Sequence, residues 1–183
     1  AHDLLWYRSS FTQTDLVHRV GKLSLSKPFR QDMQYQSVMY LALGQAIARA
    51  GGDRWENLVT ERLLKPLDMK ATTLTTIAAS KGKDLASGHR MNSDGKLVVV
   101  PWYEQSEPNP AGSIHTNARD LVPWLQLQIN GGKHNNLQLV SESGLAETHE
   151  HQTIIPLRGE AKKLQPESHL SGYGLAWVVQ DYR

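Results

Sequence analysis

Cysteine is absent from the 183 residues. Its absence excludes disulfides, thiolate catalysis and cysteine-based zinc sites, and leaves the redox compartment open. No apolar run approaches the roughly 20 residues a membrane-spanning helix requires, so no span is expected in this chain. A strong charge of one sign is also missing: 20 Lys and Arg against 18 Asp and Glu leave a formal net charge of +2. The basic residues are scattered, which removes the electrostatic case for a nucleic-acid partner. There is no internal repeat or low-complexity linker. The absence of Gly-x-Ser-x-Gly argues against an α/β-hydrolase. Ala1-His2-Asp3-Leu4 shows neither the basic nor the apolar region of a signal peptide, and there is no initiator Met. The chain is therefore expected to begin part-way through a longer protein.

What remains is the composition of a globular protein, and its patterning is mostly helical. Thr12 to Leu23 reads as an amphipathic helix carrying Leu16, Val17, Val20 and Leu23, stopped by Lys27-Pro28. Gln36 to Ala50 is the strongest helix, ended by Gly51-Gly52. Asp53 and Glu56 have the spacing of a capping box for a further helix running to Pro66. Ser93-Asp94-Gly95 before Leu97-Val98-Val99-Val100 predicts a small hairpin within 87–100. Thr116 is expected to cap a helix from about Asn117 to Asn130, with Pro123 unfavourable inside it. Residues 141–148 read as a short helix, 149–171 as an exposed loop, and 172–179 as one strand close to the chain end. A lone terminal strand needs a neighbour for its backbone, so both ends are expected to be cut.

Four segments in order resemble the serine β-lactamase-like family, which includes class C β-lactamases, D-alanyl-D-alanine carboxypeptidases and family VIII-type esterases. Phe29-Arg30 followed by Tyr35-Gln36-Ser37, with Tyr40 and Gly44 in the same run, resembles its Tyr-x-Asn motif and helix. Gly52-Asp53-Arg54-Trp55 and Pro66-Leu67-Asp68-Met69-Lys70-Ala71-Thr72 are similar to its G-x-x-W and P-L-G-M-x-x-T stretches. Pro110-Ala111-Gly112-Ser113-Ile114-His115-Thr116, continuing to Asp120-Leu121, resembles P-A-G-G-x-x-S-T-x-x-D-L. Tyr173-Gly174-Leu175-Ala176-Trp177 resembles Y-G-L-G-W. The motifs stay in register over nearly the whole chain.

The resemblance implies the helical subdomain of the α+β β-lactamase/transpeptidase-like fold: mainly α, with a small β-hairpin and a terminal strand. Residues 1–171 would form that subdomain, and 172–183 would begin the return into a missing sheet domain. It implies an acyl-serine hydrolase acting on a small-molecule or peptide substrate, whether amide, β-lactam or ester, with no cofactor or metal. The rest of the fold would come from missing segments or a second chain. Many members act in the periplasm or outside the cell, which is the localisation the resemblance favours.

In this family a Ser attacks a carbonyl and a Lys one helical turn later helps take its proton. Tyr35 occupies the position of the second proton-transfer group. A phenol with a reference pKa of about 10 is a poor base at neutral pH, so it acts beside lysine ammonium groups supplied by other segments. Ser37 stands where the family usually has Asn, replacing a substrate-binding amide with a shorter hydroxyl. That departure leaves open a non-catalytic scaffold on the same fold. Asp68 stands where Gly is usual, a change that a turn tolerates. The stretch before Tyr35 is too short for the nucleophile helix. The downstream Lys or His strand motif is absent as well, so the chain alone is expected to be inactive.

Ser24-Leu25-Ser26-Lys27 and Ser80-Lys81-Gly82-Lys83 match Ser-x-x-Lys literally, but neither opens a helix that would hold the Lys one turn from the Ser. His149-Glu150-His151 lacks the i, i+4 spacing of a helical metal site and reads as a solvated surface. His115, on the loop bordering the family's cleft, is assigned to the substrate edge; helix capping or exposure is its ordinary alternative. Trp102-Tyr103 after the hairpin could line a cleft, although core or lid packing explains such aromatics more often.

Overall fold

The computed structural model describes residues 9–29, 31–105 and 107–183. His2, Trp6 and the Arg30 of the first motif lie outside the described residues. Helix α1 spans Gln13–Val20, and Thr12 and Asp15 cap each other reciprocally across its first turn. Helix α2, Ser37–Gly51, ends on Gly52 at φ 71°, a left-handed conformation that suits glycine. The two helices meet through Leu16, Val38 and Leu41, with Val17, Val20 and Ala111 packed around them.

Helix α3, Trp55–Val59, starts one residue later than the Asp53 capping box requires. Arg54 is its N-cap, and no side chain caps it. The Asp53 carboxylate instead accepts from the Arg54 amide at 2.7 Å and the Asn57 side chain at 2.9 Å. The helix widens through Thr60–Leu64, where Lys65 N–H donates to the Thr60 carbonyl five residues back at 2.9 Å. That widening delivers Leu67 and Met69 to a second core with Leu127, flanked by Leu63, Leu64, Trp124, Leu139 and Val140.

Helix α4 spans Thr76–Ala79, and strands β1 (His89–Met91) and β2 (Leu97–Val99) form the expected hairpin. Its turn closes on Asn92, whose side-chain oxygen accepts from Asp94 N–H at 3.0 Å and Lys96 N–H at 2.8 Å. Helix α5, Ala118–Ile129, is capped by Asn117 rather than Thr116; Asn117 Oδ1 accepts from Asp120 N–H at 2.9 Å. The Thr116 hydroxyl is engaged with Thr72 instead. Pro123 lies within α5 without ending it. Strands β3 (Lys133–His134) and β4 (Leu137–Gln138) flank Asn135-Asn136, both at positive φ, a hairpin absent from the sequence reading.

Helix α6, Glu142–Thr148, is capped by Ser141. The segment expected to be loop contains strand β5 (Thr153–Ile154) and helix α7 (Glu160–Leu164). The single strand expected at 172–179 is two, β6 (Ser171–Tyr173) and β7 (Val178–Gln180), in an antiparallel sheet of order β5-β6-β7. The chain reverses between them, with the Gly174 N–H donating to the Trp177 carbonyl at 2.8 Å and Ala176 at φ 68°; a Cβ at Gly174 would overlap the Thr148 carbonyl. Strand β6 thus has partners on both sides within the chain. Among the described residues, seven α-helices accompany three small antiparallel sheets.

Candidate active site

The first, third and fourth family-like segments meet on α2. Gln36 is an extended N-cap residue, which leaves Tyr35 just outside the helical ladder. The Tyr35 side chain is half exposed, and its ring lies 5.8 Å from that of Tyr40, tilted by 40°. Ser37 opens α2 and is buried. The Tyr40 hydroxyl meets the Tyr173 hydroxyl of β6 in a short contact. Burial, then the bond to Tyr173 and the charge that Tyr173 or Tyr35 would carry on ionisation, push the Tyr40 phenol well above the usual tyrosine range.

The loop of the third motif is seated on this helix. A Cβ at Gly44 would overlap the Pro110 ring, so glycine is what lets Pro110 pack flat on α2. Ala111 packs against the cluster of Leu16, Val38 and Leu41. The loop also satisfies itself: Asn109 N–H donates to the fully buried Ser113 hydroxyl at 2.7 Å, and Ala111 N–H donates to Asn109 Oδ1 at 2.7 Å. Gln13 Nε2 donates to the Pro108 carbonyl at 2.6 Å and draws α1 against the same loop.

Beyond it, His115 exchanges two backbone bonds with Thr73, each 2.9 Å. Its Nδ1 lies 2.8 Å from the Ser113 carbonyl. A carbonyl can only accept, so Nδ1 carries the proton in the neutral ring and Nε2 remains as an acceptor. The His115 ring lies 5.7 Å from Trp102. Trp102 and Tyr103 border an open recess of about 390 Å³, shared with Ala86, Gly88, Val100 and Pro101. Tyr35 and Ser37 share one end of α2, and His115 follows the loop packed on that helix.

Asp120 joins the second motif to the third. Buried at the start of α5, it accepts from Ala71 N–H at 2.9 Å and the Thr72 hydroxyl at 2.8 Å through one oxygen. Asp68 adopts φ 57°, the left-handed turn conformation for which the family's glycine is suited. Sequence reading did not single out Tyr40, Tyr173 or Asp120. The only signal was their place within the motifs, since no spacing rule pairs residues this far apart.

The other candidates have different surroundings. Ser26 donates to Gln34 at 3.0 Å, Lys27 pairs with Asp32 at 3.4 Å, and Ser80 donates to the Ile77 carbonyl at 2.9 Å. His149 meets the Trp177 ring edge-on at 4.8 Å, and His151 Nε2 bonds the Val179 carbonyl at 3.0 Å. Each of these histidines packs against the β6–β7 hairpin.

Comparison with known proteins completes this picture. The beta-lactamase family model matches residues 1–183. This chain belongs to the beta-lactamase family. An unguisins hydrolase from Aspergillus campestris (strain IBT 28561) is 26% identical over 171 residues, covering 92% of this chain and 30% of that protein. Among solved structures, the octameric penicillin-binding protein homologue from Pyrococcus abyssi aligns with a TM-score of 0.73 at 19% identity, over 97% of this chain and 38% of that one. The D-amino acid amidase from Ochrobactrum anthropi SV3, complexed with D-phenylalanine, aligns at 0.67 and 21%, over 96% and 48%. The chain therefore shares the fold of penicillin-binding-protein-like and D-amino acid amidase structures. It spans less than half the length of each of these three proteins.

Proposed function

We propose that the chain is the helical subdomain of a serine hydrolase that cleaves an amide, β-lactam or ester through an acyl-serine. Residues 1–171 form the subdomain, and 172–183 lead into a sheet domain supplied by other segments or a second chain. Tyr35 is the proton-transfer group, and Ser37 and His115 face substrate. The observation that carries this reading is the seating of the third-motif loop on α2, with Pro110 against Gly44 and Ala111 against the cluster of Leu16, Val38 and Leu41. Membership of a hydrolase-rich family supports it further.

The roles divide by chemistry. The hydroxyl of a serine in a Ser-x-x-Lys helix attacks the carbonyl and loses its proton toward Lys and Tyr35. The same groups return a proton to the leaving group, leaving an ester on the serine that water later hydrolyses. Neither Ser24 nor Ser80 has a Lys one turn further along a helix, so the 183-residue chain is inactive by itself.

The second reading is a non-catalytic scaffold, favoured by Ser37 in place of Asn. Treating the full-length protein and this chain with an activity-based serine probe and a chromogenic ester or cephalosporin separates the two. The hydrolase reading expects labelling and turnover in the full-length protein and neither in the chain. A full-length protein without labelling or turnover supports the scaffold.

A further inference from the structure

We propose that Tyr40 is a positioning residue for Tyr35, fixed in its own place by the hydroxyl contact with Tyr173. The proposal rests on the reading of Tyr35 as the proton-transfer group. Tyr35 precedes the N-cap residue of α2, so the helical ladder does not set its side-chain direction. The neighbouring ring is Tyr40, 5.8 Å away on the first turns of the same helix. A long aromatic side chain on a helix surface would normally exchange rotamers. Tyr40 is instead tied at its far end, where its hydroxyl meets that of Tyr173.

Tyr173 is a rigid anchor. It pairs with Thr153 on one side and Val178 on the other, and its carbonyl accepts from Gln152 N–H at 2.9 Å. The residues beside it fit closely: a Cβ at Gly172 would overlap the His151 ring, and one at Gly174 the Thr148 carbonyl. The position of β6 is thereby passed through two phenols to Tyr35. Tyr40 remains a neutral phenol across the ordinary pH range, since burial and the Tyr173 contact both oppose its ionisation. It can hold the hydroxyl contact without itself exchanging a proton with substrate. A misplacement of about 1 Å in a catalytic group costs on the order of a hundredfold in rate, so a tether of this kind has kinetic leverage.

The test uses the full-length protein with Tyr35→Phe, Tyr40→Phe, Tyr173→Phe and the Tyr40→Phe/Tyr173→Phe pair. The expected result is a fall in kcat of about tenfold for each single hydroxyl deletion, with KM unchanged within about twofold and the same melting temperature. The double variant should be no slower than either single one, because both remove the same contact. Unchanged kcat in both single variants, or a rise in KM alone, overturns the positioning role. If one Phe variant fails to fold, the other removes the same contact from the opposite side. If Tyr35→Phe retains full activity, the functional reading falls instead, and Tyr40 has nothing to position.

Discussion

Asp120 is the residue on which the two central motifs depend. Its carboxylate is buried and takes two hydrogen bonds, from the Ala71 amide and from the Thr72 hydroxyl, which also meets the Thr116 hydroxyl. A hydrogen bond to a charged group contributes about 1.5–3 kcal/mol, and water can reach the Ala71 amide, so Asp120→Ala is expected to lose about 1–3 kcal/mol in urea unfolding. A loss below about 0.5 kcal/mol would show that water replaces the carboxylate without cost. Asp68 shows how a single departure is absorbed, since Asp enters the left-handed region more readily than most residues. At this scale the sequence was readable wherever a residue type has one strong use. The Thr12–Asp15 cap and the Asn92 turn are such cases. Tyr40 was not readable, because its role is defined by Tyr173, far away in the chain.

The elements follow from periodicity, and their misreadings have specific causes. Helices α1, α2, α5 and α6 lie where apolar spacing and flanking cap or stop residues place them, within a few residues at each end. Competing cap residues shifted two starts, since Asp53 and Thr116 each found a side-chain partner outside the cap position. Strand β5 was illegible because it is only two residues long and draws its stability from pairing with β6 across the chain. The contact between α2 and the Pro110 loop gives a prediction with an unusual sign. Gly→Ala inside a helix normally stabilises by about 0.5–1 kcal/mol. At Gly44 the methyl group meets the Pro110 ring, so Gly44→Ala is expected to destabilise by about 1–3 kcal/mol. Stabilisation in the same unfolding measurement would mean that the loop is not seated on α2.

Across the whole molecule, acid should weaken the fold through several small carboxylate contacts. Asp15 is held below its ordinary value of 3.8 first by the Thr12 side chain, Asp53 by that of Asn57, and Asp181 by the Leu170 and His169 amides. A depressed folded pKa contributes stability above the unfolded value and loses it as pH falls through the folded one. The denaturant midpoint is therefore expected to hold above about pH 5 and to decline below about pH 4; a flat profile down to pH 3 would contradict these contacts. Family membership was legible from four motifs in register, and the matching family model extends over residues 1–183. In the proposed reading, activity belongs to the full-length protein, because the chemistry ascribed to Tyr35 needs a serine and lysines from other segments. The most direct measurement is intact-mass analysis of acylation by a β-lactam or serine probe, comparing the full-length protein, its Tyr35→Phe variant and this 183-residue chain. One acyl group is expected on the full-length protein, with acylation slower by about a hundredfold or more in Tyr35→Phe and none on the chain. Acylation of the chain at Ser24 or Ser80, or an unchanged rate in Tyr35→Phe, would contradict the proposed reading.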